Sequence, residues 1–415
     1  MKHILRSMSF RKTELPMVVG LIAAARAVSL IGDEVALIAW LFRAKGDLGH
    51  WGVVAVLVAG MLPLVLLSPV AGLLVDRLHV RRLLLGVTVV QALVAFSLAF
   101  ASEALFVPLI ALLACATCVA SPSWQVLIPT LVTDEQLPAA MGLVQSAFAT
   151  AGMLGPFVGG LLYAEVGFRS VLLIDAASYL ALASIPLLVR ADRVPVPPVP
   201  GDHRDSMWSG VRFITSRPLL RSLVILVTLF ILTLGVINVV EIFFVTTNLH
   251  AGPRGYGLLG LCFGAGMLVV AAGSQRLSER FPRAERLFVA SCVLLTLILF
   301  FFALSQTLAE AAVALFLLGG ANSLLNVQAN VMLVRATNDA QHLRGRIFAA
   351  VTGVVSAAQI LSLMLGGLLL TLWGPRIIIV VGAAAAAVAL TVTVSPVLRA
   401  SEVRLQVSPT VDAVD

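Results

Sequence analysis

A chain of 415 residues that is 60% hydrophobic and only 12% charged is not an ordinary soluble protein, in which about 25% of residues carry charge. Its net charge of +7 calls for no nucleic-acid partner, because no soluble basic domain is left to hold one. The charge is instead the signature of a membrane protein with basic loops on one side.

Twelve apolar segments follow, at about 16–42, 51–75, 83–101, 106–132, 140–164, 169–189, 221–247, 256–275, 286–305, 309–334, 347–372 and 375–398. Each is near the ~20 residues needed to cross a bilayer as a helix. The short gaps between spans 5 and 6 and between spans 11 and 12 predict tight hairpins. The first segment is too long for a secretory leader and reads as a retained helix.

Span 1 carries Arg26, Asp33 and Glu34. A charge near the bilayer centre costs ~2.5–3.5 kcal/mol on insertion scales, so intramembrane charges mark a functional site by default. Arg26 and Asp33 are seven residues apart, on one helix face with Ser29 between them; Glu34 points about 100° away. Span 7 carries Asn238 and Glu241. If spans 1 and 7 face each other, Asp33 or Glu34 shares an environment with Glu241. Clustered carboxylates cannot all ionise cheaply, which suits a proton carrier. The alternative is that Arg26 neutralises one acid as a structural pair. Asp33 leads this reading, with Glu34 and Glu241 close behind and Arg26 as the tuning cation.

The loop after span 2 reads Gly72-Leu-Leu-Val-Asp76-Arg77-Leu-His79-Val80-Arg81-Arg82. In span 4, Cys115 and Cys118 have the CxxC form but lack a partner pair, so they read as packing residues and no metal is expected. Span 5 contains Gly152-Met-Leu-Gly155-Pro156-Phe-Val-Gly159-Gly160. Gly155 and Gly159 there admit a close helix, and Pro156 permits a bend. Asp175 in span 6 lies six residues from Arg169 and reads as a helix-end or hairpin residue. Span 10 has Asn322, Asn326 and Asn330 at intervals of four, which either bind substrate or bond neighbouring helices. Gln91, Trp124, Gln125, Gln145 and Gln359 are further cavity candidates.

The polar stretch 190–220 divides the chain. Its Pro-rich part, RVPVPPVPGDHRDS, reads as a linker, and MWSGVRFITSRPLLRS, which alternates Trp208, Val211, Phe213 and Ile214 with Arg212 and Arg217, predicts a short amphipathic helix on the cytoplasmic face of the membrane. The expected units are an N-terminal bundle (1–189), the linker (190–220), a C-terminal bundle (221–400) and a tail (401–415). The halves resemble each other weakly. Asp134 and Gln136 match Asp339 and Gln341 at an offset of 205, and Gly159-Gly160 matches Gly366-Gly367 at an offset of 207.

Of the 28 Lys and Arg residues, 22 fall on the side holding both termini and the even-to-odd loops. Arg43, Lys45, Arg169, Arg254 and Arg376 fall on the other side, and Arg26 lies within the membrane. Both termini are therefore expected in the cytoplasm.

The loop with Gly72, Asp76, Arg77 and Arg81 resembles the signature of the major facilitator superfamily. His79 and Val80 depart from its second glycine and one basic position. The resemblance implies an all-α fold of twelve membrane helices in two pseudo-symmetric six-helix bundles. It also implies that the loop is a conformational latch between the halves. The Gly155-Pro156-x-x-Gly159-Gly160 stretch resembles that of the family's drug/proton antiporters, and TDEQLPAAMGL and HLRGRIFAA are similar to the macrolide and enterobactin exporter branch. The implied function is proton-coupled export of a small amphipathic or hydrophobic molecule, such as a drug, macrolide or siderophore, by a monomer in the bacterial inner membrane. A nutrient symporter and a lipid transporter on the same fold are the alternatives. Its partners would be substrate, protons and lipid. With no H-E-x-x-H, G-x-S-x-G or P-loop, no enzyme and no cofactor is expected.

Overall fold

The computed structural model describes residues 17–188, 208–280, 284–337 and 344–407. The Pro-rich linker to residue 207, the Asp339 and Gln341 of the internal repeat, and the last eight residues lie outside them. The helices are α1 (Met17–Asp47), α2 (Gly49–Arg77), α3 (Val80–Leu98), α4 (Glu103–Leu127), α5 (Leu137–Leu188), α6 (Trp208–Ser216), α7 (Pro218–Phe243), α8 (Pro253–Arg280), α9 (Ala284–Leu304), α10 (Leu308–Ala336), α11 (Arg344–Leu372) and α12 (Pro375–Val407).

Among the described residues these make twelve crossings, with α5 counting twice and the nine-residue α6 not at all. α5 is 52 residues long and holds spans 5 and 6, broken only at Gly167 (φ 76°), a left-handed backbone that glycine tolerates best. α6 is a short helix within the stretch where an amphipathic one was expected. Its Ile214 packs with Leu220, Leu333 and Ile347, so it is fastened to the C-terminal bundle. The helices outrun the apolar segments by a few residues at most ends, since polar turns continue them beyond the bilayer. The largest difference is at the end: α12 runs to Val407, where a tail from 401 was expected, because Ser401–Val407 contains no helix breaker.

An apolar core around Phe230, Phe244 and Phe302 lies wholly in the C-terminal bundle, and one around Phe106, Leu98 and Tyr179 in the N-terminal bundle also takes in Val239, Ile242 and Leu363 from the other half. Lipid supplies no hydrophobic drive between helices, so small residues that let backbones approach do much of the packing. α8 and α10 meet this way: a Cβ on Gly266 would collide with the Phe316 carbonyl, and one on Gly319 with the Phe263 carbonyl. Overpacking usually costs ~1–3 kcal/mol, and neighbours that are rigid backbone cannot yield. Gly266→Val is expected to lower the thermal unfolding midpoint in detergent by about 5 °C or more, read by the loss of the monodisperse gel-filtration peak after heating.

The repeated glycine pairs show the pseudo-symmetry at residue level. Gly159 faces Val35 of α1, and Gly366 faces Val236 and Val239 of α7. Their successors face the other bundle: Gly160 meets Pro253 and Gly257 of α8, and Gly367 meets Trp51 and Val54 of α2. The first glycine of each pair seats the bundle's own first helix, and the second seats the partner bundle.

These inter-bundle contacts lie at the end that carries the α1–α2, span 5–6, α7–α8 and α11–α12 connections. Phe42 also meets Tyr256 edge-on there at 5.8 Å, and Arg254 pairs with Glu165. That ion pair is exposed, and such pairs contribute ~0–1 kcal/mol. The close glycine contacts and the apolar packing of Val239, Ile242 and Leu363 on the N-terminal bundle therefore carry the closure. Toward the opposite end, Gln145, Ser146, Thr150, Asn326 and Asn330 are exposed.

Candidate functional site

Between the bundles, just inside the closed end, is a cavity of about 250 Å³. Its polar lining is Glu34 from α1, Asn238 and Glu241 from α7, Tyr256 from α8 and Asn322 from α10; the rest is apolar, chiefly Leu, Ile and Phe263. Among the described residues, no Lys, Arg or His lines it. The volume approaches that of small-molecule sites.

Glu34 is held by the span 5 motif. A Cβ on Gly155 would stand 2.5 Å from Glu34 Cβ and 2.7 Å from its Cγ, so the bare glycine is what lets the acid lie against span 5. The next residue, Pro156, lines the same cavity, and its ring packs on Gly260 of α8. Gly152 has no such role: it is exposed, and a side chain there would meet nothing within 4 Å. The packing motif is Gly155, Pro156, Gly159 and Gly160.

Asp33, the leading candidate from the sequence, is not in this cavity. It faces the interior of the N-terminal bundle, where the Tyr179 hydroxyl donates to its Oδ1. The reason is the face it shares with Arg26. The Arg26 guanidinium is stacked 4.4 Å from the Phe148 ring centre and 5.5 Å from that of Trp124, a pair of cation–π contacts inside the bundle. Seven residues later the same face is still internal, and the 100° turn to Glu34 brings that acid to the central cavity. Glu34 and Glu241 are thus the pair from the two halves.

Asp175 is also corrected. It is fully buried rather than at a helix end, because span 6 starts at the Gly167 break and Asp175 lies two turns further in. Its Oδ1 abuts Gly32 of α1, and the Ser178 hydroxyl donates to its backbone oxygen at 2.7 Å.

Of the other candidates, Asn322 lines the cavity, while Asn326 and Asn330 donate to the backbone oxygens of Asn322 and Asn326 on their own helix, each at 2.9 Å. Gln91 and Trp124 lie inside the N-terminal bundle. Gln125 and Gln145 are exposed, and Gln359 is half-buried on α11. In the loop after α2, Gly72 meets nothing within 4 Å, and Asp76 and Arg77 are exposed. Arg81 donates to the Pro186 and Leu187 carbonyls at 2.6 and 3.2 Å. These carbonyls belong to the last described turn of span 6, and a cation is favoured at a helix C-terminus. Both of these bonds lie within the N-terminal bundle.

The sequence reading missed Tyr179, Tyr256 and Trp40. Tyrosine was the available signal: the chain has three, and a phenol inside an apolar span needs a partner for its hydroxyl.

Comparison with known proteins agrees with this architecture. The sequence profile of the Major Facilitator Superfamily matches residues 22–339 and 223–408. The chain is 28% identical over 374 residues to the multidrug efflux pump Tap of Mycobacterium tuberculosis (strain ATCC 25618 / H37Rv), covering 84% of this chain and 85% of that one. It is 26% identical over 361 residues to the MFS-type transporter YfiS of Bacillus subtilis (strain 168), covering 83% and 85%. It is 23% identical over 261 residues to macrolide efflux protein A of Streptococcus pyogenes, covering 59% and 63%. In fold it is similar to a POT family transporter solved with 5-aminolevulinic acid (TM-score 0.74, 11% identity, 93% and 97% covered) and to the nucleoside transporter NupG (TM-score 0.71, 12% identity, 91% and 98% covered). With the profile spanning both bundles and the fold in common, this chain belongs to the Major Facilitator Superfamily and is a multi-pass membrane transporter, not an enzyme.

Proposed function

We propose that this transporter exports amphipathic organic cations in exchange for protons. The observation that carries the reading is the pairing of Glu34 and Glu241, one from each bundle, in an apolar cavity that no cation lines among the described residues. A carboxylate in such surroundings needs a counter-charge or a proton. Substrate cation and proton are therefore alternative occupants of the same acids, and their exclusion of each other is antiport. The acids also argue against an anionic, siderophore-like substrate. Export as the direction is supported by the efflux pumps among the relatives.

The remaining assignments belong to this reading. The protein works as a monomer in the bacterial inner membrane with both termini cytoplasmic, as the basic loops favour. Its units are 1–189, 190–220, 221–400 and 401–415, exchanging protons and substrate within lipid. Gly72, Asp76, Arg77 and Arg81 act in a latch at the cytoplasmic end. Asn238 and Asn322 contact substrate; Asn326, Asn330 and Gln359 line its path.

The test uses everted vesicles with an acid interior, offered ethidium, tetraphenylphosphonium or a neutral aromatic of similar size. Addition of either cation is expected to collapse the pH gradient saturably, and the neutral compound to leave it intact. Equal responses to all three, or a response to the neutral compound alone, would overturn the cation assignment.

A further inference from the structure

We propose that protons travel to and from Glu34 through hydrated side cavities inside the N-terminal bundle, relayed by Asp33 and Tyr179, on a path separate from the substrate cavity. The inference rests on the proton-coupled reading above and adds a route to it.

Two further cavities lie within this bundle. One, of about 330 Å³, is lined by Asp33, Glu34, Trp40, Gly60, Thr117 and Tyr179 among apolar residues. The other, of about 150 Å³, is lined by Arg26, Ser29, Asp33, Gln91, Thr117 and Tyr179, with Trp124 and Phe148. Asp33, Thr117 and Tyr179 belong to both, so the two cavities abut. Glu34 belongs both to the larger one and to the central cavity. A continuous line of cavities thus runs from the substrate site through Glu34, then Asp33 and Tyr179, to Arg26.

The polar atoms along this line call for water. Trp40 Nε1 and Gln91 Oε1 are buried without a hydrogen-bond partner, one on each side cavity. Buried polar groups of this kind are satisfied by ordered water where the space is polar and exceeds the ~30 Å³ share of one molecule. Both cavities meet that condition several times over. Gln91 Nε2 meanwhile donates to Thr117 Oγ1 at 3.0 Å, which fixes the amide so that its oxygen is left for water.

The relay step is balanced. Tyr179 passes its hydroxyl hydrogen to the Asp33 carboxylate at Oδ1 and takes one from a cavity water that carries an extra proton, which is left as neutral water, so the phenol is restored and one proton has moved. The Asp33 acid then releases a proton through water in the larger cavity to the Glu34 carboxylate. The ionisable groups facing this path are Arg26, Asp33 and Glu34 on α1 and Asp175 and Tyr179 on span 6. Glu241 and Tyr256 face Glu34 across the central cavity. Among the described residues, the polar groups that α3 and α4 contribute are the neutral Gln91, Thr117, Ser121 and Trp124.

A pH jump applied to proteoliposomes on a solid-supported electrode, with no substrate present, reads proton entry as a transient current. Two variants attack the route differently. Tyr179→Phe removes the relay hydroxyl. Gly60→Val fills the larger side cavity at a position where a Cβ meets nothing within 4 Å. In both, the current is expected to slow by at least about tenfold, while ethidium affinity, read by tryptophan quenching, stays within about twofold. If the wild-type current is lost in Glu34→Gln but unchanged in both variants, the route is wrong and proton coupling stands. If the wild type gives no current, proton coupling itself fails and takes the route with it. If Tyr179→Phe loses current and ethidium binding together, Gly60→Val decides, and a normal current there overturns the proposal.

Discussion

Glu241→Gln is expected to abolish proton-driven export while leaving a folded protein in the membrane. The amide keeps the shape and the hydrogen-bonding capacity of the side chain and removes only its charge. In an apolar cavity that charge is half of what holds a cation, and breaking a buried charge pair costs ~2–5 kcal/mol. At 1.4 kcal/mol per tenfold, transport efficiency should fall by about 30-fold to more than 1,000-fold. Glu34→Gln should match it, and the double variant should be little worse than either, since groups acting as a unit do not add. Initial rates of ethidium-dependent proton release in everted vesicles, normalised to membrane protein level, measure this. Export in Glu241→Gln at a third or more of the wild-type rate would remove Glu241 from the substrate and coupling site.

That prediction names Glu34 and Glu241 where the sequence alone put Asp33 first. Hydropathy, span count and the glycine motifs were legible because they are local: length, period and small residues at fixed spacing. The repeat was legible too, and both glycine pairs serve matching contacts. What could not be read was which way α1 is rotated in its bundle. Arg26 and Asp33 were correctly placed on one face, but nothing local says that this face turns toward Trp124 and Phe148. That depends on helices roughly a hundred residues downstream, α4 and α5. Asp175 escaped for the same reason: its burial is set by Gly32 of α1, not by its distance from Arg169.

Gly160→Val should be nearly as damaging, through geometry alone. A side chain there would run into the Pro253 carbonyl and stand 3.0 Å from Gly257 Cα. Both obstacles are backbone, so the bundles must part at this end. Alternating access needs that end to close, and a variant unable to close it should retain only about 1% of transport, a cost of ~2.7 kcal/mol. Closure can be read directly by replacing Glu165 and Arg254, which pair across the gap, with cysteines after the four native cysteines have been removed. Oxidative cross-linking should be efficient in the otherwise native protein and at least about tenfold slower with Gly160→Val. Unchanged cross-linking would show that the glycine contact does not control the gate.

The Gly160–Gly257 contact has a pharmacological consequence. A thin, flat inhibitor wedged between these helices would rest on main chain from both sides. Target-site resistance normally arises by exchanging a contacting side chain, and here there is none to exchange. Any substitution at either glycine adds atoms to a seam that has to shut, so a mutant escaping the drug would lose the pump as well.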